Sequence, residues 1–131
     1  MSNIETTNND IGTVEISGGD FRDEQLTFGG AGTVLEGTIL ARDNVSLKLV
    51  PYVKGGSANE NGIPKAVMTY PVTSAGAGDV SVRPLVAGRM NGQRLVIDAD
   101  GDNANVDAEV IDQLRSISIV ALHVGQLGQY A

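Results

Sequence analysis

The chain contains no cysteine and no tryptophan. Without cysteine it has no disulfide bonds, no thiolate nucleophile and no cysteine-ligated zinc. Aromatic residues make up only 4% of the sequence, so valine, isoleucine, leucine and alanine must supply the hydrophobic core. Because β-branched residues favour strands, this composition predicts a fold rich in β-structure.

Positive charge and long apolar runs are also scarce. The formal net charge of −7 at pH 7 argues against binding to nucleic-acid phosphates, which needs clustered lysine and arginine. No apolar run approaches the roughly 20 residues of a membrane-spanning helix. The start of the chain also lacks the basic segment and apolar core of a signal peptide. We therefore expect neither nucleic acid nor membrane as a partner.

Glycine, in contrast, is abundant, with 17 residues among 131. Its tolerance of positive φ predicts many short strands joined by tight turns, and the length suits one domain. We expect a flexible, acidic N-terminal arm over residues 1–30, one domain over residues 31–124 and a flexible C-terminal tail over residues 125–131.

The arm contains one short alternating segment, in which Val14 and Ile16 would face the same side of an extended chain. A segment of this kind can add as a strand to the sheet edge of another protein. A solvated tail or a local strand of the chain's own domain explains the pattern equally well. The candidate partner-binding residues are Ile11, Gly12, Thr13, Val14, Glu15 and Ile16.

The domain shows five segments with strand character. Two of them flank a turn at residues 42–44 and predict a hairpin, and the Asn91-Gly92 pair predicts a second hairpin, because both residues accept positive φ. Residues 54–65 hold Gly-Gly, Asn-Gly and a proline, and this predicts a surface loop. The predicted strands cover residues 33–41, 45–53, 66–73, 79–87 and 94–97.

One amphipathic helix is predicted from Val106 to about Ile117, with Asn105 as its N-cap. Its apolar stripe comprises Val106, Val110, Ile111, Leu114 and Ile117. The alternating residues 116–124 that follow predict a final strand.

The sharpest chemical candidate is the acidic loop "DADGDNANVDAE". Asp98, Asp100, Asp102 and Glu109 occupy positions 1, 3, 5 and 12 of a calcium-binding loop pattern. Position 6 is Asn103 instead of glycine, and a strand, not a helix, is predicted before the loop. An acidic turn leading into a helix N-terminus is the favoured interpretation.

Two further patterns carry little chemistry. His123 has no second histidine or cysteine with which to form a metal site or a catalytic set. The segment "FGGAGT" (residues 28–33) lacks the lysine of a phosphate-binding loop and predicts a hinge between arm and domain. No acid, base and nucleophile can be grouped, so we expect no enzyme, no cofactor and no bound metal.

Four segments over residues 32–124 follow one another in the order found in a known family, and the chain resembles the lambda-type bacteriophage head decoration proteins. The segments are "GTVLEGTILARD" with "LKLVPY", "AVMTYPVTSAGAGDVSVRPLVAGRMN", "RLVI" with an acidic loop and "VDAEVIDQLRSI", and the terminal "ISIV".

The resemblance implies an α+β, mainly β, barrel-like domain with one short amphipathic helix and a disordered N-terminal arm. It implies a homotrimer at local three-fold sites on the outer surface of the expanded capsid, made in the host cytoplasm, that stabilises the virion against the pressure of packaged DNA. The arm "NDIGTVEISGGDF", with Ile11–Ile16 at its centre, would pair with strands of the major capsid protein. The alternative is a small β-rich module that binds carbohydrate or a host surface, although the scarcity of aromatics counts against sugar binding.

Overall fold

A computed structural model describes residues 15–122 of the chain. In this part there are ten strands, the helix α1 (Ala108–Arg115), and short 3-10 turns at Ala58–Glu60 and Gly92–Arg94. The strands are β1 (Glu15–Phe21), β2 (Glu24–Phe28), β3 (Gly32–Val34), β4 (Ile39–Arg42), β5 (Leu49–Pro51), β6 (Pro64–Val67), β7 (Val72–Ser74), β8 (Gly78–Val82), β9 (Leu85–Asn91) and β10 (Ile119–Leu122).

Eight of these strands form one sheet. Seven follow the order β1-β9-β6-β4-β5-β2-β8, and β10 pairs with β9 in parallel. The sheet curls into a half-barrel, and β3 and β7 form a separate antiparallel pair. The prediction of a mainly β, barrel-like fold with one short helix is confirmed.

The core lies on both faces of β4, at the centre of the sheet. Ile39 and Ala41 contribute to a cluster that α1 covers through Val110 and Leu114, and Leu40 points into a second cluster. Alternate residues of a strand face opposite sides, so the first three residues of β4, which are buried on both faces, are all apolar, and only Arg42 at its end is charged. The predicted apolar stripe of the helix is confirmed, since Val110 and Leu114 are fully buried.

The predicted hairpin at residues 33–53 is confirmed as the antiparallel pair β4 and β5, but its turn is longer than expected. The first predicted strand divides at Gly37, which has φ of 87° and lies against the backbone of Arg94. The predicted strands 66–73 and 79–87 also divide, around Pro71 and Pro84, because proline has no N–H for a sheet ladder.

The N-terminal arm requires a correction over residues 15–28. These residues form β1 and β2 in the main sheet, and Leu26 and Phe28 are buried between β5 and β8. The segment holds few apolar residues, but its sheet neighbours supply the rest of the core. Glu15 and Ile16 lie in β1 beside the chain's own β9, in agreement with the local-strand interpretation. Residues 1–14, with Ile11–Val14, lie outside the described residues, as do residues 123–131 with His123.

The predicted Asn-Gly hairpin is wrong. β9 ends at Asn91, which has φ of −81° and caps the following 3-10 turn by accepting the Gln93 N–H. Residues 94–97 therefore do not form a strand that pairs with β9. Val96 makes only an isolated bridge to Thr38. Asparagine here uses its side-chain oxygen instead of its tolerance of positive φ.

The predicted helix is correct in place but starts later than expected. Asp107, not Asn105, is the N-cap, and its Oδ1 accepts the Val110 N–H at 3.2 Å. The last predicted strand is confirmed over Ile119–Leu122 only.

Candidate functional site

The turn between β4 and β5, residues 43–48, is here called the hairpin tip. The carboxylate of Asp43 accepts the N–H groups of Val45 and Ser46 at 2.8 and 3.0 Å. The backbone of Asp43 closes the turn, since its N–H donates to the Lys48 carbonyl and its carbonyl accepts the Leu47 N–H. Hydrogen bonds from Ser46 and Val45 lower the pKa of Asp43, so this carboxylate stays ionised at neutral pH.

The hairpin tip is also fixed to the strands beside it. Arg42 forms a two-pronged pair with Glu24 in β2, at 2.8 and 3.1 Å, and donates to the Leu47 carbonyl at 2.8 Å. Lys48 binds Asp79 in β8 and lowers the pKa of that carboxyl. The tip is therefore held from two sides by charge-assisted contacts.

This braced turn presents two apolar side chains to solvent. Val45 is 76% exposed and Leu47 is 65% exposed. Leu47 also has φ of 66°, a left-handed conformation that costs a non-glycine residue about 1–2 kcal/mol. Such strain persists where surrounding contacts enforce it, and it occurs preferentially at functional sites. The arrangement suits contact with an apolar surface of another protein.

A groove of about 600 Å³ lies next to the hairpin tip. Leu47 and Tyr70 contribute apolar surface to it, and Tyr70 is 40% exposed. The Tyr70 hydroxyl accepts the backbone N–H of Arg83, and the Arg83 guanidinium pairs with Asp23 at 2.8 Å. Because these charged groups neutralise one another, the groove offers a mixed polar and apolar surface instead of a set of reactive groups.

The structure does not bring the four carboxylates of the acidic loop together. Within residues 15–122, no three histidine, cysteine or acidic side chains lie close enough to hold a metal ion. Asp102 instead accepts the Ala104 N–H at 2.9 Å, and Asp100 accepts from the Asn105 amide at 2.9 Å. These acids close the turns that lead to α1.

The glycine-rich segment 28–33 is a connection inside the domain and not a hinge to an arm. Phe28 ends β2, Gly32 begins β3, and both strands belong to the folded part of the chain. In the part of the chain from residue 15 to residue 122, no helix is both long and apolar enough to cross a bilayer.

The predicted strand over residues 45–53 is wrong for residues 45–48, which belong to the hairpin tip, and the strand starts at Leu49. Asp43-Asn44 followed by Ser46 is a turn signal that could have shortened that strand, because aspartate accepts backbone N–H groups two and three residues ahead. No protein-family model and no curated protein matches the chain.

Proposed function

We propose that the chain is a structural virion protein that decorates the outer surface of an expanded bacteriophage head as a homotrimer and stabilises the capsid. The observation that carries the proposal is the braced hairpin tip, with Val45 and Leu47 held in solvent. The phage-head assignment rests on the resemblance over residues 32–124.

The energetics of the hairpin tip suit a subunit that binds in many copies. Burying two aliphatic side chains gives only a few kcal/mol, too little for tight binding by an isolated subunit. Subunits joined in a trimer bind at several points together, and the effective concentration of the second and third contacts then raises the overall affinity. A bracing network that keeps the tip rigid also reduces the entropy lost on binding.

The N-terminal segment supplies the second proposed contact. Glu15 lies opposite Met90 at the start of β1, so residues 1–14 precede an outer strand of the sheet. Of the candidate segment Ile11–Ile16, Glu15 and Ile16 already pair with β9 on one side. The proposed contact with strands of the major capsid protein therefore uses residues 11–14 and the outer edge of β1, and the alternation of Val14 and Ile16 in the sequence supports this role.

Co-sedimentation with undecorated heads tests the proposal. Full-length protein is mixed with expanded heads and with unexpanded procapsids of the phage of origin, beside a variant that lacks residues 1–14. This truncation leaves β1 and β2 in place, whereas removal of residues 1–28 would delete the buried Leu26 and Phe28. We expect saturable binding to expanded heads only, weakened by the truncation. Absence of binding to both shells would refute the proposal.

The groove beside Tyr70 favours one alternative, a module that binds carbohydrate or a host surface. An exposed aromatic ring flanked by Asp23 and Arg83 has the mixture of stacking surface and polar groups that sugars require. A glycan array with the full-length protein distinguishes the two functions: specific glycan signals that a Tyr70→Ala variant loses would favour the alternative.

A further inference from the structure

A second cavity, of about 200 Å³, lies over the connection between β2 and β3 and is here called the glycine pocket. Its lining includes Gly29, Gly30 and Gly32 together with Pro51 and Asp98. A Cβ atom added at any of the three glycines would meet no atom within 4 Å, so the space above this backbone is open. The volume is below that of pockets for drug-sized molecules and suits one side chain.

Asp98 is the charged residue of this pocket. Its carboxylate has no hydrogen bond or ion pair with any residue of the part of the chain described by the structure. Although the residue as a whole is exposed, neighbouring atoms remove water from the carboxyl group and raise its pKa. Glu24, Asp79 and Asp107, in contrast, each pair with a basic side chain.

We propose that the glycine pocket receives one arginine side chain of a partner protein, with Asp98 as the counter-ion. A partly desolvated carboxylate without a partner is stabilised by a cation and repels an anion, so the pocket is not a phosphate site. The three glycines of the lining expose peptide groups without side chains, which a flat guanidinium can approach closely. Arginine also binds a carboxylate through two parallel hydrogen bonds and is less strongly hydrated than lysine.

This inference goes beyond the proposed function, because it concerns a different surface from the hairpin tip and does not depend on the phage-head assignment. It adds a polar recognition element to a chain whose net charge of −7 already favours basic partner surfaces.

NMR titration of the full-length, 15N-labelled protein tests the proposal. The probe is N-acetyl-arginine amide, and its uncharged isostere N-acetyl-citrulline amide is the matched control ligand. We expect saturable shifts at the amides of Gly29, Gly30, Gly32 and Asp98, with affinity at least about tenfold lower for the citrulline probe. N-acetyl-lysine amide separates a guanidinium site from a general cation site.

Two variants and two controls connect the shifts to the pocket. Asp98→Asn removes the charge, and Gly30→Val adds a branched side chain to the pocket lining, at a position where a Cβ atom meets no atom within 4 Å. Asp20→Asn makes the same charge change on β1, and Gly76→Val is an equally open glycine elsewhere. We expect the first pair to abolish the shifts and the second pair to keep them, all four with melting temperatures close to that of the wild type.

Four results would overturn the proposal. Equal binding of arginine and citrulline probes would exclude charge recognition, and unchanged shifts in Asp98→Asn would exclude the proposed counter-ion. Lysine binding as tight as arginine binding, or no saturable shift with the arginine probe, would exclude a guanidinium site.

Discussion

Replacing Leu47 with asparagine should separate the stability of the subunit from its ability to bind a partner. Leucine at this position has φ of 66°, whereas asparagine adopts the left-handed region several times more readily. Relief of this strain contributes up to about 1–2 kcal/mol to stability. The buried third of the leucine side chain contributes about 0.5–1 kcal/mol, which the variant loses. The two terms nearly cancel, and the free energy of unfolding should stay within about 1 kcal/mol of the wild type.

Binding should change far more than stability. The exposed 65% of Leu47 would become buried against a partner, and this area corresponds to about 1–2 kcal/mol for each copy. The variant should therefore bind expanded heads about 5–30-fold more weakly per subunit. Urea denaturation measures the stability, and co-sedimentation over a range of protein concentrations measures the affinity.

Two controls make the comparison specific. Val45→Thr removes apolar area from the same hairpin tip and should also weaken binding, whereas Leu35→Asn removes a partly exposed leucine outside the tip and should not. If Leu47→Asn binds expanded heads as tightly as the wild type, the hairpin tip is not a contact surface and the reasoning from strain and exposure fails.

Three further predictions concern the fold. Gly37→Ala should lower the free energy of unfolding, measured in urea, far more than Gly55→Ala. Both glycines have positive φ, but only at Gly37 would the new Cβ overlap the Arg94 carbonyl. Equal losses in the two variants would refute that close approach. Leu114→Ala should cost about 2–5 kcal/mol by the same assay, because Leu114 is fully buried on the inner face of α1. A loss below about 1 kcal/mol would contradict this packing. Lys48 lowers the pKa of Asp79, so this pair stabilises the fold fully above the ordinary carboxyl pKa of 3.8, and the contribution is lost as the pH falls through the lower folded value. Unfolding measured from pH 7 to pH 2 should show a smaller acid-induced loss in Asp79→Asn, and an unchanged pH profile would contradict the pairing.

Local patterns in the sequence predicted the elements that depend on near neighbours. The stripe with Val110 and Leu114 predicted the amphipathic helix, and the alternating residues around Ile39–Arg42 and Leu49–Pro51 predicted the central hairpin. In these segments the periodicity of apolar residues follows directly from which face is buried.

Elements that depend on distant partners were not predictable in the same way. Glu24–Phe28 has few apolar residues, but it pairs with β5 and β8, which lie more than 20 residues later in the chain. The local composition of residues 24–28 therefore predicted a flexible arm, although these residues form β2, an inner strand of the sheet. Asn91 shows the same limit at short range, because either a hairpin or a capped 3-10 turn satisfies its chemistry.

The hairpin tip and the glycine pocket were outside the reach of periodicity. The exposure of Val45 follows from an Asx turn that ends a strand pattern early, and the pocket joins residues 27–34 to Asp98 across the fold. The turn at the hairpin tip has a local signal in Asp43 and Ser46, whereas the pocket has no sequence motif, because it depends on non-local packing.

Cryo-EM reconstruction of purified, DNA-filled heads of the phage of origin tests the central proposal most directly. We expect trimeric density on the outer surface at local three-fold positions, into which the half-barrel of residues 15–122 fits with its hairpin tip against a neighbouring subunit. Heads whose outer surface carries no such density, or virions in which the chain is located in the tail, would contradict the assignment as a head decoration protein.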